Sequence, residues 1–183
     1  MEGGARAQGC CPEKSVSEES PRLLDALRVL SQHRVRFVLI GGYAAIARGS
    51  PLLTGDIDIC HARDDENLER LAAALRELKA TLRGAPPDLP FQLDAKALKE
   101  GDHFTFSTAI GAFDCLGTPA GTRGFDDLNE DATDVDFDGF SVRVPSIDDL
   151  IRMKRAAGRP KDLVGLEWLR SLRDETEGGE GPA

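Results

Sequence analysis

The sequence predicts a single-domain α/β (α+β) fold, on three observations. A chain of 183 residues with 40% hydrophobic content can bury one adequate core and leaves too little for a separate large helical domain. Short apolar runs rich in strand formers, Val35–Ile40 and Ile110–Leu116 among them, are too brief for helices. Around them, leucines recur at three- and four-residue steps, the period of a helix with one buried face.

Residues 1–20 lack hydrophobic periodicity and are expected to form a disordered tail. Ser20-Pro21 then supplies an N-cap and a first-turn proline for a helix through Leu23, Leu24, Leu27 and Leu30. That helix should end near His33, read as a polar helix-end residue. Val35–Ile40 is a strand delivering the chain to Gly41-Gly42, and Tyr43–Arg48 is a short helix stopped by Gly49-Ser50-Pro51. Arg48 either reaches a phosphate or is a solvated cation at the helix end. In the next strand, ending at Cys60, Asp56 and Asp58 share one face while Ile57 and Ile59 take the other.

Asp64 and Asp65 cap a long helix whose stripe is Leu68, Leu71, Leu75, Leu78 and Leu82. Gly84–Pro90 breaks it, and Asp94–Glu100 is a brief helix. His103–Thr108 and Ile110–Leu116 are two tightly joined strands with Phe104, Phe106 and Phe113 as core candidates. Asp114 shares a face with Leu116, opposite Phe113 and Cys115. An aspartate in so apolar a strand needs a cation, hydrogen bonds or an edge open to water.

The Gly- and Asp-rich stretch 117–131 reads as loop and includes Arg123. Asp134-Val-Asp-Phe-Asp-Gly139 imitates the start of an EF-hand calcium loop, but its twelfth position is Pro145 rather than a bidentate Glu. It reads instead as a hairpin turning at Asp138-Gly139, with Val135 and Phe137 alternating on one arm and Phe140, Val142 and Val144 on the other. Its acids form a solvated face, Asp136 being a minor candidate for a catalytic set. Ser146 opens a helix over Ile147–Ala157, stopped by Gly158. Pro160 begins the last helix, with Leu163, Leu166, Leu169 and Leu172 as its stripe and Trp168 at its flank. The domain therefore runs over 21–173, and 174–183 is an acidic tail expected to be disordered.

Net charge is −9, but the two tails hold most of it, leaving −3 on residues 21–173. From Pro145 to Arg173, seven Lys and Arg face four Asp and Glu, so this end is locally basic. No apolar run approaches the ~20 residues that span a bilayer, and the first twenty residues are polar and acidic; the chain reads as cytoplasmic, with no membrane partner. Cys10 and Cys11 are adjacent in the tail, and Cys60 and Cys115 lie in separate strands. That is neither a disulfide framework nor zinc spacing, so free thiols are expected.

The chemistry concentrates between Phe37 and Cys60. Two carboxylates on one strand face can share divalent cations, and carboxylates with open positions suit magnesium, which keeps waters and phosphate oxygens as its other ligands. At Gly41 and Gly42 the absent Cβ lets backbone N–H groups approach an anion, and a helix begins there. A triphosphate is the natural occupant. There is no Walker A sequence and no G-x-G-x-x-G, which removes P-loop and dinucleotide-binding readings.

Gly41-Gly42 followed by thirteen residues and Asp56-x-Asp58, on a strand–turn–helix–strand frame, resembles the nucleotidyltransferase superfamily built around DNA polymerase beta. The resemblance spans most of 35–173 and implies the minimal nucleotidyltransferase fold, a mixed β-sheet flanked by helices. It implies metal ligation by Asp56 and Asp58, and a third carboxylate from a later strand, for which Asp114 is the best match. The chain departs from the serine form of the motif at Gly42, which offers no hydroxyl. The Gly-Gly form, and Lys154, Arg159, Lys161 and Asp162 ahead of a Leu-rich helix, resemble the AbiEii-like, toxin-associated branch.

Lys154 would then bind the triphosphate beside Arg159 and Lys161, with Asp162 a second functional acid or a capping partner; the plainer reading pairs Lys154 with Asp162 across the turn. The implied activity is Mg2+-dependent, with a two-metal site, moving a nucleoside monophosphate from an NTP to an acceptor hydroxyl. RNA such as tRNA is the implied acceptor, in a toxin–antitoxin or phage-defence setting with a cognate antitoxin protein. The alternatives are a non-catalytic nucleotide- or partner-binding member of the same fold and an enzyme that modifies a small molecule such as an antibiotic.

Overall fold

The computed structural model describes residues 21–86, 89–160 and 162–178. The tail expected over 1–20, with Cys10 and Cys11, and Lys161 lie outside the described residues. In chain order the elements are α1 (Pro21–Gln32), β1 (Phe37–Ile40), α2 (Gly41–Ala47), β2 (Ile57–His61), α3 (Asp65–Glu77), β3 (Thr81–Leu82) and α4 (Ala95–Glu100). They continue with β4 (His103–Thr108), β5 (Gly111–Leu116), α5 (Phe125–Glu130), β6 (Thr133–Phe137), β7 (Phe140–Val144), α6 (Ile147–Ala157) and α7 (Asp162–Gly178).

Five strands form a mixed sheet in the order β1-β2-β5-β4-β3. β2 and β5 run parallel, while β1 against β2, β5 against β4 and β4 against β3 are antiparallel. Alternation of side chains divides its residues between two layers. Leu39, Ile57, Ile59, Phe106 and Phe113 pack with Leu27 and Leu30 of α1 and with Leu68, Leu71 and Leu75 of α3 in the main core. On the other face, Val38, Ile40 and Cys60 pack under Leu128 of α5, with Met153 of α6 against them. This second layer is small, and it leaves the polar half of that face open. The sheet flanked by helices matches the fold class expected from sequence.

The local signals explain most boundaries. The Asp64 side chain accepts the Asn67 N–H at 3.1 Å and caps α3, and Ser146 Oγ accepts the Asp149 N–H at 3.1 Å to cap α6. Gly158 stops α6 with φ +61°. The β6–β7 hairpin turns through Asp138 and Gly139, both at positive φ as a two-residue type I′ turn requires, but it forms a separate two-stranded sheet.

Several features depart from the sequence reading. Leu82 is not part of the α3 stripe: the helix ends at Glu77, Lys79 turns the chain at φ +55°, and Leu82 pairs with Phe106 as edge strand β3. The stretch read as loop contains α5, whose Leu128 is wholly buried. α5 is anchored by Asp127, which accepts the Arg123 backbone N–H and the Arg152 guanidinium at 3.0 and 2.9 Å. Those bonds, the backbone one first, hold the Asp127 carboxyl below the usual carboxylate range. Finally, α7 runs to Gly178, so residues 174–178 are helical where the acidic tail was expected to be disordered; nothing in the sequence stops a helix before the glycines.

Arg48 follows neither of its expected roles. Its guanidinium donates to the carbonyls of Pro145 and Val144 at 2.8 and 2.6 Å and to Thr133 Oγ1 at 2.9 Å, tying the end of α2 to the hairpin. Burial lowers its pKa from the usual arginine value. His33 sits just past α1 and pairs with Glu77 at 2.7 Å, in keeping with a polar helix-end residue.

Candidate active site

The parallel seam between β2 and β5 brings two aspartates together. In register, Asp58 stands beside Asp114 on one side and Ile40 on the other. Neighbouring strands lie about 4.8 Å apart, so the two carboxylates share one face at adjacent positions. Ile57 and Cys115, which point the other way, are buried. Burial raises the Cys115 thiol pKa well above its ordinary value, and the charges of Asp114 and Asp58 add to the effect. Cys60 is likewise a buried free thiol, its pKa raised to about 12.

Immediately after Ile40 the chain turns through Gly41 at φ +69°. A Cβ there would lie 2.1 Å from Asp58 Oδ2 and 2.7 Å from its Cγ. Only glycine allows that carboxylate to rest on the turn. At Gly42 a Cβ would meet Thr54 Cβ at 2.4 Å and Oγ1 at 2.5 Å, so the space a serine would fill at this position is taken by the threonine side chain.

These groups open on a cleft of about 660 Å³. Gly41, Gly42 and Thr54 form one wall, and Arg83, Thr105 and Asp114 another. Lys154, Arg159 and Asp162, from the α6–α7 junction, close a third side. Asp56 also lines the cleft, exposed, one residue before β2 begins. The described members of the main candidate set, from Gly41 to Asp162, therefore meet in one place. Asp136 does not: it is exposed on β6 and accepts the Gly139 N–H within its own hairpin.

Lys154 is half-buried, its Nζ 3.2 Å from Asp162 Oδ1, and its side chain lies along Gly165 of α7. The ion-pair reading holds in this state, and the pair still faces the cleft. Sequence reasoning missed Arg83, whose Nη2 donates to Asp114 Oδ1 at 2.5 Å. Its position, between the leucine taken for a helix stripe and Gly84, gave no sign of a strand.

Among the described residues no three His, Cys, Asp or Glu are gathered into a ready-made metal cage. The adjacent carboxylates of Asp58 and Asp114, beside a turn with no Cβ, do fit a hard cation that completes its shell with water and phosphate oxygens.

The architecture is the nucleotidyltransferase fold. It is shared with the lincosamide antibiotic adenylyltransferase LnuA in its lincomycin-bound crystal structure, at TM-score 0.56 and 15% identity, covering 82% of this chain and 96% of that one. The antibiotic-resistance factor ANT(2″)-Ia in solution gives TM-score 0.54 and 18% identity over 87% of this chain and 84% of its own. Its crystal structure with adenylyl-2″-tobramycin gives 0.53 and 18% over 86% and 88%. No family model matches the chain, and no curated protein does. At such identities the likeness is one of fold. No described helix is long and apolar enough to cross a membrane.

Proposed function

We propose that the chain is an Mg2+-dependent nucleotidyltransferase that moves a nucleoside monophosphate from an NTP to an acceptor hydroxyl. The observation that carries this reading is the register itself: Asp58 beside Asp114, with Gly41 packed against the Asp58 carboxylate, in the cleft that Lys154 also faces. Asp58 and Asp114, with Asp56 at the mouth, would hold the cation, which supplies Lewis-acid polarisation of phosphoryl oxygens.

The chain's own groups account for the rest. Gly41 and Gly42 let the triphosphate approach the backbone. Lys154, aided by Arg159 and Lys161, offsets charge on the departing pyrophosphate, and Asp162 holds the lysine in place. The acceptor oxygen bonds to the α-phosphorus as the bond to the bridging oxygen breaks; pyrophosphate leaves, and the hydroxyl proton passes to Asp114.

RNA is the acceptor this reading favours, because Lys154 and Arg159, from the locally basic stretch between Pro145 and Arg173, line the cleft. A toxin–antitoxin or phage-defence setting, with a cognate antitoxin, rests on the resemblance of the Gly-Gly motif and the Lys154–Asp162 stretch. The second reading, a small-molecule acceptor, is supported by the ligands of two structural neighbours, lincomycin in LnuA and adenylyl-2″-tobramycin in ANT(2″)-Ia.

The test is transfer of α-labelled NTPs, each base separately, onto total RNA and onto lincomycin and tobramycin, with and without Mg2+. Asp58→Asn protein runs alongside. Label on RNA that needs Mg2+ and Asp58 supports the reading; label on an antibiotic alone transfers support to the second. NTP binding without pyrophosphate release would make the chain a nucleotide-binding protein of this fold.

A further inference from the structure

We propose that Arg83 forms the acceptor subsite and selects an alcohol that carries a phosphate group near its reacting hydroxyl. The inference rests on the nucleotidyl-transfer reading above and adds the acceptor's chemical class.

One row of residues crosses the sheet at a single level. The Arg83 N–H donates to Thr105 O at 2.9 Å; Thr105 stands opposite Asp114, Asp114 beside Asp58, and Asp58 opposite Ile40, which precedes Gly41. The glycine turn and Arg83 therefore occupy opposite ends, with both carboxylates between them. If the donor phosphates take the Gly41 end, the acceptor approaches from the Arg83 end, because attack and departure at the α-phosphorus are roughly in line.

That end carries a guanidinium. The Arg83 side chain is 35% exposed and spends one N–H on Asp114. Its remaining guanidinium donors have no acceptor among the described residues and belong to the cleft wall. A planar fork of this kind matches phosphate oxygens. The acids of the cleft are committed: Asp56, Asp58 and Asp114 to the cation, and Asp162 to Lys154. Among the described lining residues, no further carboxylate is left to receive ammonium groups. Tobramycin, a polyamine, would meet an arginine there; a sugar phosphate or an RNA end would meet a partner.

The experiment uses the full chain with Mg2+ and labelled ATP and offers matched acceptors: ribose 5-phosphate against ribose, a short RNA with a free 3′ hydroxyl, and tobramycin. Pyrophosphate release is followed in parallel. Phosphate-bearing acceptors should be used with kcat/KM at least ~10-fold above ribose and tobramycin, about the effect of one charge-assisted hydrogen bond. The two phosphate arms separate a monoester from a polymer end. Arg83→Gln should erase the preference by raising KM for the phosphate-bearing acceptors, and Arg83→Lys should restore part of it. Equal or better use of ribose or tobramycin overturns the proposal, as does an Arg83→Gln variant that slows every acceptor equally, since it would then only orient Asp114. Absence of label and of pyrophosphate release would sink the transferase reading as well, and with it this subsite.

Discussion

Two stretches of this molecule read Asp-x-Asp, and only one lies in a cleft. Asp56-Ile57-Asp58 leads into β2, an interior strand with β1 on one side and β5 on the other. Asp134-Val135-Asp136 lies on β6, which pairs only with β7. Around Asp58 the sheet supplies a second carboxylate, a glycine turn and, two strands beyond that carboxylate, Arg83. Around β6 the acids are absorbed locally: Asp134 pairs with Arg143 at 3.7 Å, and Asp136 accepts the Gly139 N–H at 3.2 Å. Period-two alternation sets the face a side chain takes. What stands on the next strand decides whether that face concentrates charge or merely meets water.

The sharpest way to break the comparison is to neutralise one acid in each stretch. Asp58→Asn should lower nucleotidyl transfer by about 10²–10³-fold, the usual effect of removing one preorganised electrostatic group. Asp136→Asn should leave transfer within about twofold. Steady-state kinetics at saturating Mg2+ would show this, and an Asp136→Asn protein that melts normally but is inactive would reverse the assignment. Gly41→Ala belongs with the large effects: its Cβ would lie 2.1 Å from Asp58 Oδ2 and the backbone is left-handed there. Transfer should fall with Asp58→Asn, and the melting temperature should fall too.

Intermediate effects separate the donor wall from the structural cations. Lys154→Met should weaken NTP binding by roughly 10–100-fold, the range for one charge-assisted hydrogen bond, with the maximal rate less affected; titration calorimetry reads it directly. Arg48→Met should do the opposite. It leaves the Val144 and Pro145 carbonyls without their donor, and chemical denaturation should show a loss of about 1–3 kcal/mol with NTP affinity retained. If Arg48→Met weakens NTP binding in a protein of normal stability, the arginine reaches phosphate after all.

Local signals in the sequence were legible where one residue type decides one conformation. Asp64 and Ser146 marked helix starts, Gly158 a helix stop, and Asp138-Gly139 a turn, because each works through a bond or torsion within a few residues. That Asp114 needs a partner was also legible, since an acid in an apolar strand is costly without one. Arg83 and β3 were not. A two-residue edge strand has no period to detect, and the pairing that makes Arg83 matter joins residues 31 apart in sequence. α5 hid behind the composition of a loop, its helix depending on the burial of Leu128 against the second layer. Nor does any sequence pattern show that Thr54 fills the space above Gly42.

The smallest expected effect is the most direct test of what makes the two stretches different. Gly139 shares the left-handed backbone of Gly41, at φ +89° against +69°, but a Cβ at Gly139 would meet nothing within 4 Å. Gly139→Ala therefore isolates backbone strain without a clash, worth about 1–2 kcal/mol for a non-glycine residue in this region. The melting temperature should drop by several degrees, transfer rates measured below it should match the parent protein, and Gly139→Asn should recover part of the loss because asparagine tolerates these torsions. A change in NTP affinity in Gly139→Ala, measured where the protein is folded, would mean the hairpin communicates with the cleft through α2 and Arg48. Unchanged affinity would leave the two Asp-x-Asp stretches alike in sequence and separate in function.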